Sequence, residues 1–302
     1  VPPGTGDVNT FYWNGSSWAE QADMNQAKRN LAGIGVYNSA ISAGGETPSV
    51  TANTESYDGT SWTEVNNMNT ARRALAGSGS STAGLVYGGT TGSDSTTTES
   101  WNGTTWTEVA DLATGRLALG GAGTTNASAF AIGGEDPVQA GTEEFSTAGP
   151  TSSILVEGML FLSGGTSLKG FGKAGGVPST AWASGGTLNT ARGLNSGVGS
   201  ATSGLVFAGY TNPGPGAEAE TEEYNGTSWT EVNDVNTARY YFTKGGMGTV
   251  TAALMAGGEP TSGVPGIQTE SWDGTNWTEV GDTNSKKLKS GAAGTQTAGF
   301  AF

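Results

Sequence analysis

The sequence predicts an all-β protein, a six-bladed β-propeller built from four-stranded antiparallel blades. The phrase TESWNGTTWTEV at 98–109 recurs with small changes, and its second Trp aligns six copies at intervals of 44, 44, 76, 47 and 48 residues: Trp18, Trp62, Trp106, Trp182, Trp229 and Trp277. A period in this range is typical of propellers or helical arrays. Thr, aromatic and β-branched residues alternate within the phrase, which favours strands and therefore the propeller.

Each copy supplies four strand-like segments. In one copy, TESYDG and TSWTEV flank an Asp-Gly pair, and ARRALAGSGS and AGLVYGG follow in the next stretch of chain. Asn-Gly or Asp-Gly between two strands predicts a two-residue type I′ hairpin turn, because both residues tolerate a positive φ. The segment NTFYWNGSSWAEQ near the start supplies strands three and four of a blade, and LKSGAAGTQTAGFAF at the end supplies strands one and two. Joined, they provide the sixth blade and close the ring.

The interval of 76 residues between Trp106 and Trp182 departs from the period. We therefore predict a single propeller domain over 1–302, in which 146–181 contains an extra hairpin inserted in the fourth blade. Its apolar residues would form a docking element for another subunit: Leu155, Met159, Phe161, Leu168 and Phe171. The alternative is that the hairpin folds back on its own blade.

Composition excludes several classes of function. The net charge of −14 argues against binding to nucleic acid or to an anionic membrane by bulk electrostatics. The chain has no Cys and no His, which excludes disulfides, Ser-His-Asp triads and His-ligated zinc. No apolar run approaches a membrane span. Because the chain begins with Val1-Pro2-Pro3-Gly4, we expect a processed or excised piece.

A basic residue stands ten positions after every aligned Trp. The six are Lys28, Arg72, Arg116, Arg192, Arg239 and Lys287. A propeller would place them around one mouth of the central channel, where they could hold an acidic sugar, a phosphate or a partner's carboxylates. The alternative is structural, with each base paired to the glutamate two residues after a Trp and tying one blade to the next: Glu20, Glu64, Glu108, Glu231 and Glu279.

The copies disagree most between strands two and three, where a Gly-Gly or Ala-Gly pair is followed by a variable loop. Variation on a constant scaffold is how loop-borne binding sites are built. We predict that these loops share the face of the basic residues and that their acidic residues mark a binding surface: Glu46, Glu135, Asp136, Glu218, Glu220 and Glu259. The alternative is that these solvent-exposed loops have drifted in sequence because nothing constrains them.

The Gly pair after the second strand, followed by an aromatic residue and a Trp, resembles the kelch repeat. The phrases TSWTEVN, GTQTAG and GG resemble repeat arrays in structural proteins of marine tailed phages, including tail and fibre proteins. SYDGTSW and SWDGTNW resemble the Asp box of sialidase-type propellers, one residue short, and that resemblance implies a structural turn.

These observations predict a non-enzymatic binding or structural scaffold, virion-associated or extracellular, that mediates protein–protein or protein–glycan contacts. Its partners would be other virion subunits or a host-surface glycan or protein. We predict no catalytic residue, cofactor or metal. The alternatives are a sialidase-like glycan-active enzyme, in which unrepeated carboxylates and tyrosines would converge on the channel mouth, and an intracellular kelch adaptor. The aligned Trp residues are interpreted as blade packing rather than a sugar platform.

Overall fold

The computed structural model describes residues 8–135, 137–147, 160–163, 167–170, 181–211, 216–242, 246–260 and 266–302. Within these ranges the regular structure consists of β-strands, with no helix. In chain order the strands are β1 (Phe11–Trp13), β2 (Trp18–Glu20), β3 (Ala32–Val36), β4 (Ser39–Ala43), β5 (Glu46–Thr47), β6 (Ser49–Val50), β7 (Thr54–Tyr57), β8 (Trp62–Val65), β9 (Ala76–Ser80), β10 (Ala83–Tyr87), β11 (Thr98–Trp101), β12 (Trp106–Glu108), β13 (Gly120–Thr125), β14 (Ser128–Ile132), β15 (Thr142–Ser146), β16 (Leu160–Ser163), β17 (Ser167–Gly170), β18 (Ala181–Ser184), β19 (Ser196–Ser200), β20 (Ser203–Tyr210), β21 (Ala217–Tyr224), β22 (Trp229–Val232), β23 (Arg239–Tyr240), β24 (Met247–Thr249), β25 (Ala252–Ala256), β26 (Glu259–Pro260), β27 (Thr269–Trp272), β28 (Trp277–Val280), β29 (Ala292–Gly294) and β30 (Gly299–Ala301).

Six four-stranded antiparallel sheets form the blades, which confirms the predicted six-bladed propeller. Numbered by their aligned Trp and written from the innermost strand outward, they are β29-β30-β1-β2, β3-β4-β7-β8, β9-β10-β11-β12, β13-β14-β15-β18, β19-β20-β21-β22 and β24-β25-β27-β28. Blade 1 joins the two ends of the described chain, since Phe11 pairs with Ala301 and Trp13 with Gly299. Short two-stranded sheets, β5-β6 and β23-β26, lie where strand two leaves blades 2 and 6.

The prediction of two-residue type I′ turns between strands three and four is wrong. In blade 2 the last pair is Tyr57 with Trp62, so the loop has four residues and is not a type I′ turn. The positive φ falls on Gly59 alone, at 96°. The Asp58 side chain instead accepts hydrogen bonds from the backbone N–H groups of Thr60 and Ser61, at 2.8 and 2.9 Å. Asn and Asp are favoured here as side-chain caps of the turn, and the Asp-box resemblance corresponds to this structural role.

The aligned Trp residues pack between blades, as interpreted from the sequence. Trp62 is only 5% exposed, and its indole N–H donates to Thr10 Oγ1 of the preceding blade at 3.1 Å. The same bond to the preceding blade is made by Trp277 with Thr221, at 3.0 Å. A buried indole N–H usually has such a partner, although those of Trp106 and Trp229 have none among the described residues. Recurrence of Thr and Trp at fixed places in the repeat therefore follows from the blade-to-blade contact.

The six innermost strands surround a central cavity of about 260 Å³. Its lining consists of Gly, Ala, Ser, Thr, Val and Ile side chains and backbone, with no ionisable group. Glycine is needed where neighbouring blades meet: a Cβ on Gly33 would lie 2.5 Å from the carbonyl oxygen of Ala292 in blade 1. The Gly-rich first strand of the repeat thus follows from the close approach of six backbones.

The structure also describes a hairpin between strands three and four of the fourth blade. Strands β16 and β17 pair antiparallel, with Leu160 opposite Gly170 and Ser163 opposite Ser167. Phe161 and Leu168 lie in these two strands, whereas Leu155, Met159 and Phe171 lie outside the described residues. The docking role of the hairpin stays a prediction.

Candidate functional site

The six aligned bases are buried. Each is at most 3% exposed, and each lies on the linker that enters a blade. Arg72 shows the typical arrangement: its guanidinium donates to Glu99 Oε1 at 2.9 Å and to the carbonyls of Gly88 and Thr97 at 2.8 and 2.6 Å, all in blade 3. Its own carbonyl accepts from the N–H of Gly45 in blade 2 at 2.8 Å. One residue therefore joins two blades, through its side chain and its backbone.

The buried ion pairs correct the partner predicted from the sequence. The five glutamates predicted to pair, Glu20, Glu64, Glu108, Glu231 and Glu279, are exposed. The bases pair instead with a glutamate at the start of strand three of the blade they enter: Lys28 with Glu55, Arg72 with Glu99, Arg116 with Glu143, Arg192 with Glu222 and Arg239 with Glu270. The ion pair therefore lies within the blade that the base enters, and the contact of Arg72 with the preceding blade is made by its backbone carbonyl.

Blade 1 departs from this pattern. Phe11 occupies the position of the glutamate, and the Lys287 ammonium lies 4.7 Å from the centre of its ring. The same ammonium donates to the Asn9 carbonyl at 2.5 Å. Burial of these cations is also reflected in their pKa values: desolvation lowers the pKa of Lys28 to about 8 although Glu55 opposes the shift. Side chains so enclosed offer little surface to an external ligand, which favours the structural alternative for all six bases.

A ring of backbone hydrogen bonds surrounds the channel two residues after each base. The residues there adopt the left-handed conformation, with φ of 54–56°: Asn30, Ala74, Ala118, Leu194, Tyr241 and Lys289. The N–H of Ala74 donates to the Asn30 carbonyl, that of Ala118 to Ala74 and that of Leu194 to Ala118, at 2.8, 2.8 and 2.6 Å. Together with the residue before each, these positions form what we call the channel mouth.

The residue directly after five of the six bases pairs with the first residue of a variable loop. Isolated bridges join Arg29 to Glu46, Arg73 to Thr90, Leu117 to Glu135 and Gly193 to Tyr210, and β23 and β26 join Tyr240 to Glu259. The loops therefore do share a face with the bases, and three predicted loop residues lie at the mouth: Glu46, Glu135 and Glu259. Glu218 lies further along its loop, buried, and accepts from Thr211 Oγ1 at 2.5 Å. Asp136 lies outside the described residues.

One side of the mouth is cationic. Glu46 accepts from Arg29 Nε and from the Asn30 side-chain amide, each at 2.9 Å, and Arg73 Nη1 lies 3.4 Å from its other oxygen. The Arg73 side chain is 41% exposed. Burial, followed by repulsion from Arg29, lowers the pKa of Lys289, which indicates that the cations are close enough to interact.

The other side of the mouth is aromatic. The ring centres of Tyr210 and Tyr240 are 5.1 Å apart, and those of Tyr240 and Tyr241 are 4.8 Å apart. These half-buried rings pack against a small apolar cluster that includes Leu194. The Lys289 ammonium lies 3.9 Å from the centre of the Tyr241 ring and joins the two sides. Burial, and then the charge of Glu135, raises the pKa of Tyr241 to about 12.

Sequence reasoning missed the residues that carry this asymmetry. The dipeptides after the six bases read Arg-Asn, Arg-Ala, Leu-Ala, Gly-Leu, Tyr-Tyr and Leu-Lys. This variation directly after a position that is always Lys or Arg was the sequence signal that could have indicated the mouth. A position that keeps one kind of side chain in all six copies indicates a shared structural role, whereas a position that varies does not. Within the described ranges, no group of three or more Asp, Glu, His or Cys residues is placed to hold a metal ion.

No protein-family model matches the chain, and no curated protein matches it. The resemblances to kelch repeats and to phage repeat arrays therefore stay predictions. In the part of the chain that the structure describes, no helix is long and apolar enough to cross a membrane.

Proposed function

We propose that this protein is a non-enzymatic binding scaffold that engages its partner, a protein or a glycan, through the channel mouth. One observation carries the proposal: six blades of the same four-stranded topology, five of which share the same buried ion pair, present different side chains at the mouth. A structural ring has no need of such differences. The half-exposed Arg73 and the tyrosine side are available to a ligand at the centre of the face that also bears the variable loops.

The location we propose is a virion or another extracellular setting. The acidic, Cys-free composition is compatible with such a setting, and the resemblance of the repeats to phage structural arrays supports it. The inserted hairpin would dock the propeller to a neighbouring subunit. Deleting residues 150–180 tests this role by light scattering: we expect self-association or assembly with other virion subunits to be lost, and a deletion variant that assembles normally would contradict it.

The binding role is tested by comparing the wild-type protein with Arg73→Glu and Tyr241→Ala on a glycan array and on candidate host cells. Both variants should lose binding. The matched control is Glu108→Ala, which changes an exposed residue on the outermost strand of blade 3. Binding that survives both mouth variants would move the site elsewhere on the molecule.

A glycan-active enzyme remains the second candidate, because the mouth is decorated unequally. Glu135 and Glu259 both act on the Tyr241 hydroxyl, so carboxylates and a tyrosine converge there. Glycosidases of the usual kind need two carboxylates flanking the scissile bond. Release of a fluorescent aglycone from a panel of glycosides, abolished by Glu135→Gln or Glu259→Gln, would favour the enzyme over the scaffold.

A further inference from the structure

We infer that the ligand of the channel mouth is an acidic sugar, bound by its carboxylate or sulfate group on the cationic side and by its ring on the tyrosine side. This inference rests on the proposed function of the mouth. It names the class of ligand that the two sides together would recognise.

The cationic side has unused capacity for an anion. Arg29 and Asn30 together hold one oxygen of Glu46, and Arg73 reaches the other oxygen only at 3.4 Å. Three cations, Arg29, Arg73 and Lys289, therefore lie around Glu46, to which Arg73 makes only a long hydrogen bond of 3.5 Å, and Glu259 is the second carboxylate that acts on Lys289. An incoming anionic group beside Arg73 and Lys289 would relieve the repulsion among them, and a guanidinium suits planar or branched oxyanions.

The aromatic side offers what a sugar ring requires. Tyr210, Tyr240 and Tyr241 lie in contact as three half-buried rings, tilted to one another by 56° and 51°. Ligand sites commonly combine such aromatic surface with a few placed polar groups. The Lys289 ammonium lies 3.9 Å from the centre of the Tyr241 ring, so the charged and aromatic sides are in contact at this point.

Other ligands fit less well. An extended peptide that adds a strand needs free backbone groups, but at the mouth those of Arg29 and Tyr240 are already paired with Glu46 and Glu259. Nucleic acid and densely sulfated polysaccharides carry many closely spaced anions, and they would meet a protein of net charge −14 with three glutamates in the mouth itself. An isolated acidic group on a neutral glycan avoids this repulsion.

The test uses saturation-transfer NMR and calorimetry with defined probes at millimolar concentration: N-acetylneuraminic acid, glucuronic acid, galactose 6-sulfate and neutral galactose. We expect an acidic probe to bind and galactose not to bind. Comparison of the two carboxylates with the sulfate identifies the anionic group. Arg73→Gln and Tyr240→Ala should each weaken binding about tenfold or more, because each removes one side of the site.

Two further variants separate recognition from folding. Arg73→Lys keeps the charge and should retain part of the affinity. Lys286→Gln removes an exposed cation that is not among the charges acting on Lys289 and should leave affinity within about twofold. Thermal unfolding of every variant should match the wild type.

The outcomes distinguish this inference from the broader function. If no acidic probe binds, but a neutral glycan or a protein binds and is lost with Tyr240→Ala, the acidic-sugar inference is wrong and the mouth remains the binding site. If an acidic probe binds to Arg73→Gln and to Tyr240→Ala as tightly as it binds to the wild type, both proposals fail. Equal binding to the wild type and to Lys286→Gln, with loss in the two mouth variants, supports both.

Discussion

Replacing Glu99 by Ala should destabilise the propeller severely, although the residue is one of 27 acidic side chains and lies far from the proposed ligand. Glu99 is fully buried. It accepts from the Arg72 guanidinium at 2.9 Å, from the backbone N–H of Asn69 at 2.7 Å and from the Asn69 amide at 2.9 Å. The substitution therefore leaves a buried cation without its carboxylate and removes the acceptor of a part-buried backbone N–H.

The magnitude follows from these contacts. Removing one partner of a buried ion pair costs about 3–5 kcal/mol, and loss of the part-buried hydrogen bonds of Asn69 adds about 1 kcal/mol. Allowing for partial hydration of the cavity, we expect the free energy of unfolding to fall by about 4–6 kcal/mol, a large share of the roughly 5–15 kcal/mol typical of a folded protein. Burial lowers the pKa of Arg72, but an arginine side chain stays protonated at neutral pH, so the unpaired guanidinium keeps its charge in the buried site.

Urea unfolding at pH 7, followed by tryptophan fluorescence, measures this loss. The control is Glu108→Ala, which makes the same chemical change at an exposed site in the same blade and should alter stability by less than about 0.5 kcal/mol. The double variant Arg72→Lys with Glu99→Phe reproduces the pair of Lys287 and Phe11 in blade 1 and should cost less than Glu99→Ala alone. A Glu99→Ala protein within about 1 kcal/mol of the Glu108→Ala control would refute the reasoning.

Three other changes test separate features. The folded-state pKa of Lys28, about 8, lies below its ordinary value of 10.5, so the unfolded chain binds more protons than the folded chain between these two pH values. The free energy of unfolding should therefore rise by about 1.4 kcal/mol for each pH unit in this interval. Urea unfolding at a series of pH values measures the rise, and Lys28→Arg should abolish it. Gly33→Ala should lower the melting temperature by forcing a Cβ against the backbone of blade 1, at a cost of about 1–3 kcal/mol, whereas Gly141→Ala, whose Cβ would meet nothing closer than 3.9 Å, should not. Ultraviolet titration should show a tyrosine with a pKa of about 12 that disappears in Tyr241→Phe, and a Tyr241→Phe titration identical to that of the wild type would contradict the burial of this hydroxyl.

The sequence was sufficient to predict the architecture because the contacts between blades recur. Trp62 reaches Thr10 of the preceding blade, and Gly33 allows the backbone of blade 1 to approach. Both residues therefore recur at fixed places in the repeat, as does the base that links successive blades. The number of repeats therefore predicts the number of blades, even when the side-chain contacts between the blades are unknown.

The pairings of the bases and the binding surface were harder to predict, for two physical reasons. Glu99 is 27 residues from Arg72 in sequence, and only the return of strand three brings it to the linker. At the mouth, Arg29 and Tyr240 belong to opposite sides of one small surface because closure of the ring places blades 2 and 6 on either side of the joining blade 1. Neither the pairing of Arg72 with Glu99 nor the placement of Arg29 and Tyr240 at the mouth can be predicted from the separation of these residues in sequence.

The most stabilising residue of each linker is followed directly by one of the most variable. Arg72 is enclosed within its blade, and Arg73 is open to solvent. Under the proposed function, the residue that stabilises the blade and the residue that contacts the ligand are therefore neighbours in sequence. Randomising positions 29, 73, 117, 240 and 288 would give a display library whose members keep every buried ion pair. Selection on such a library could change what the propeller binds without repairing its fold each time.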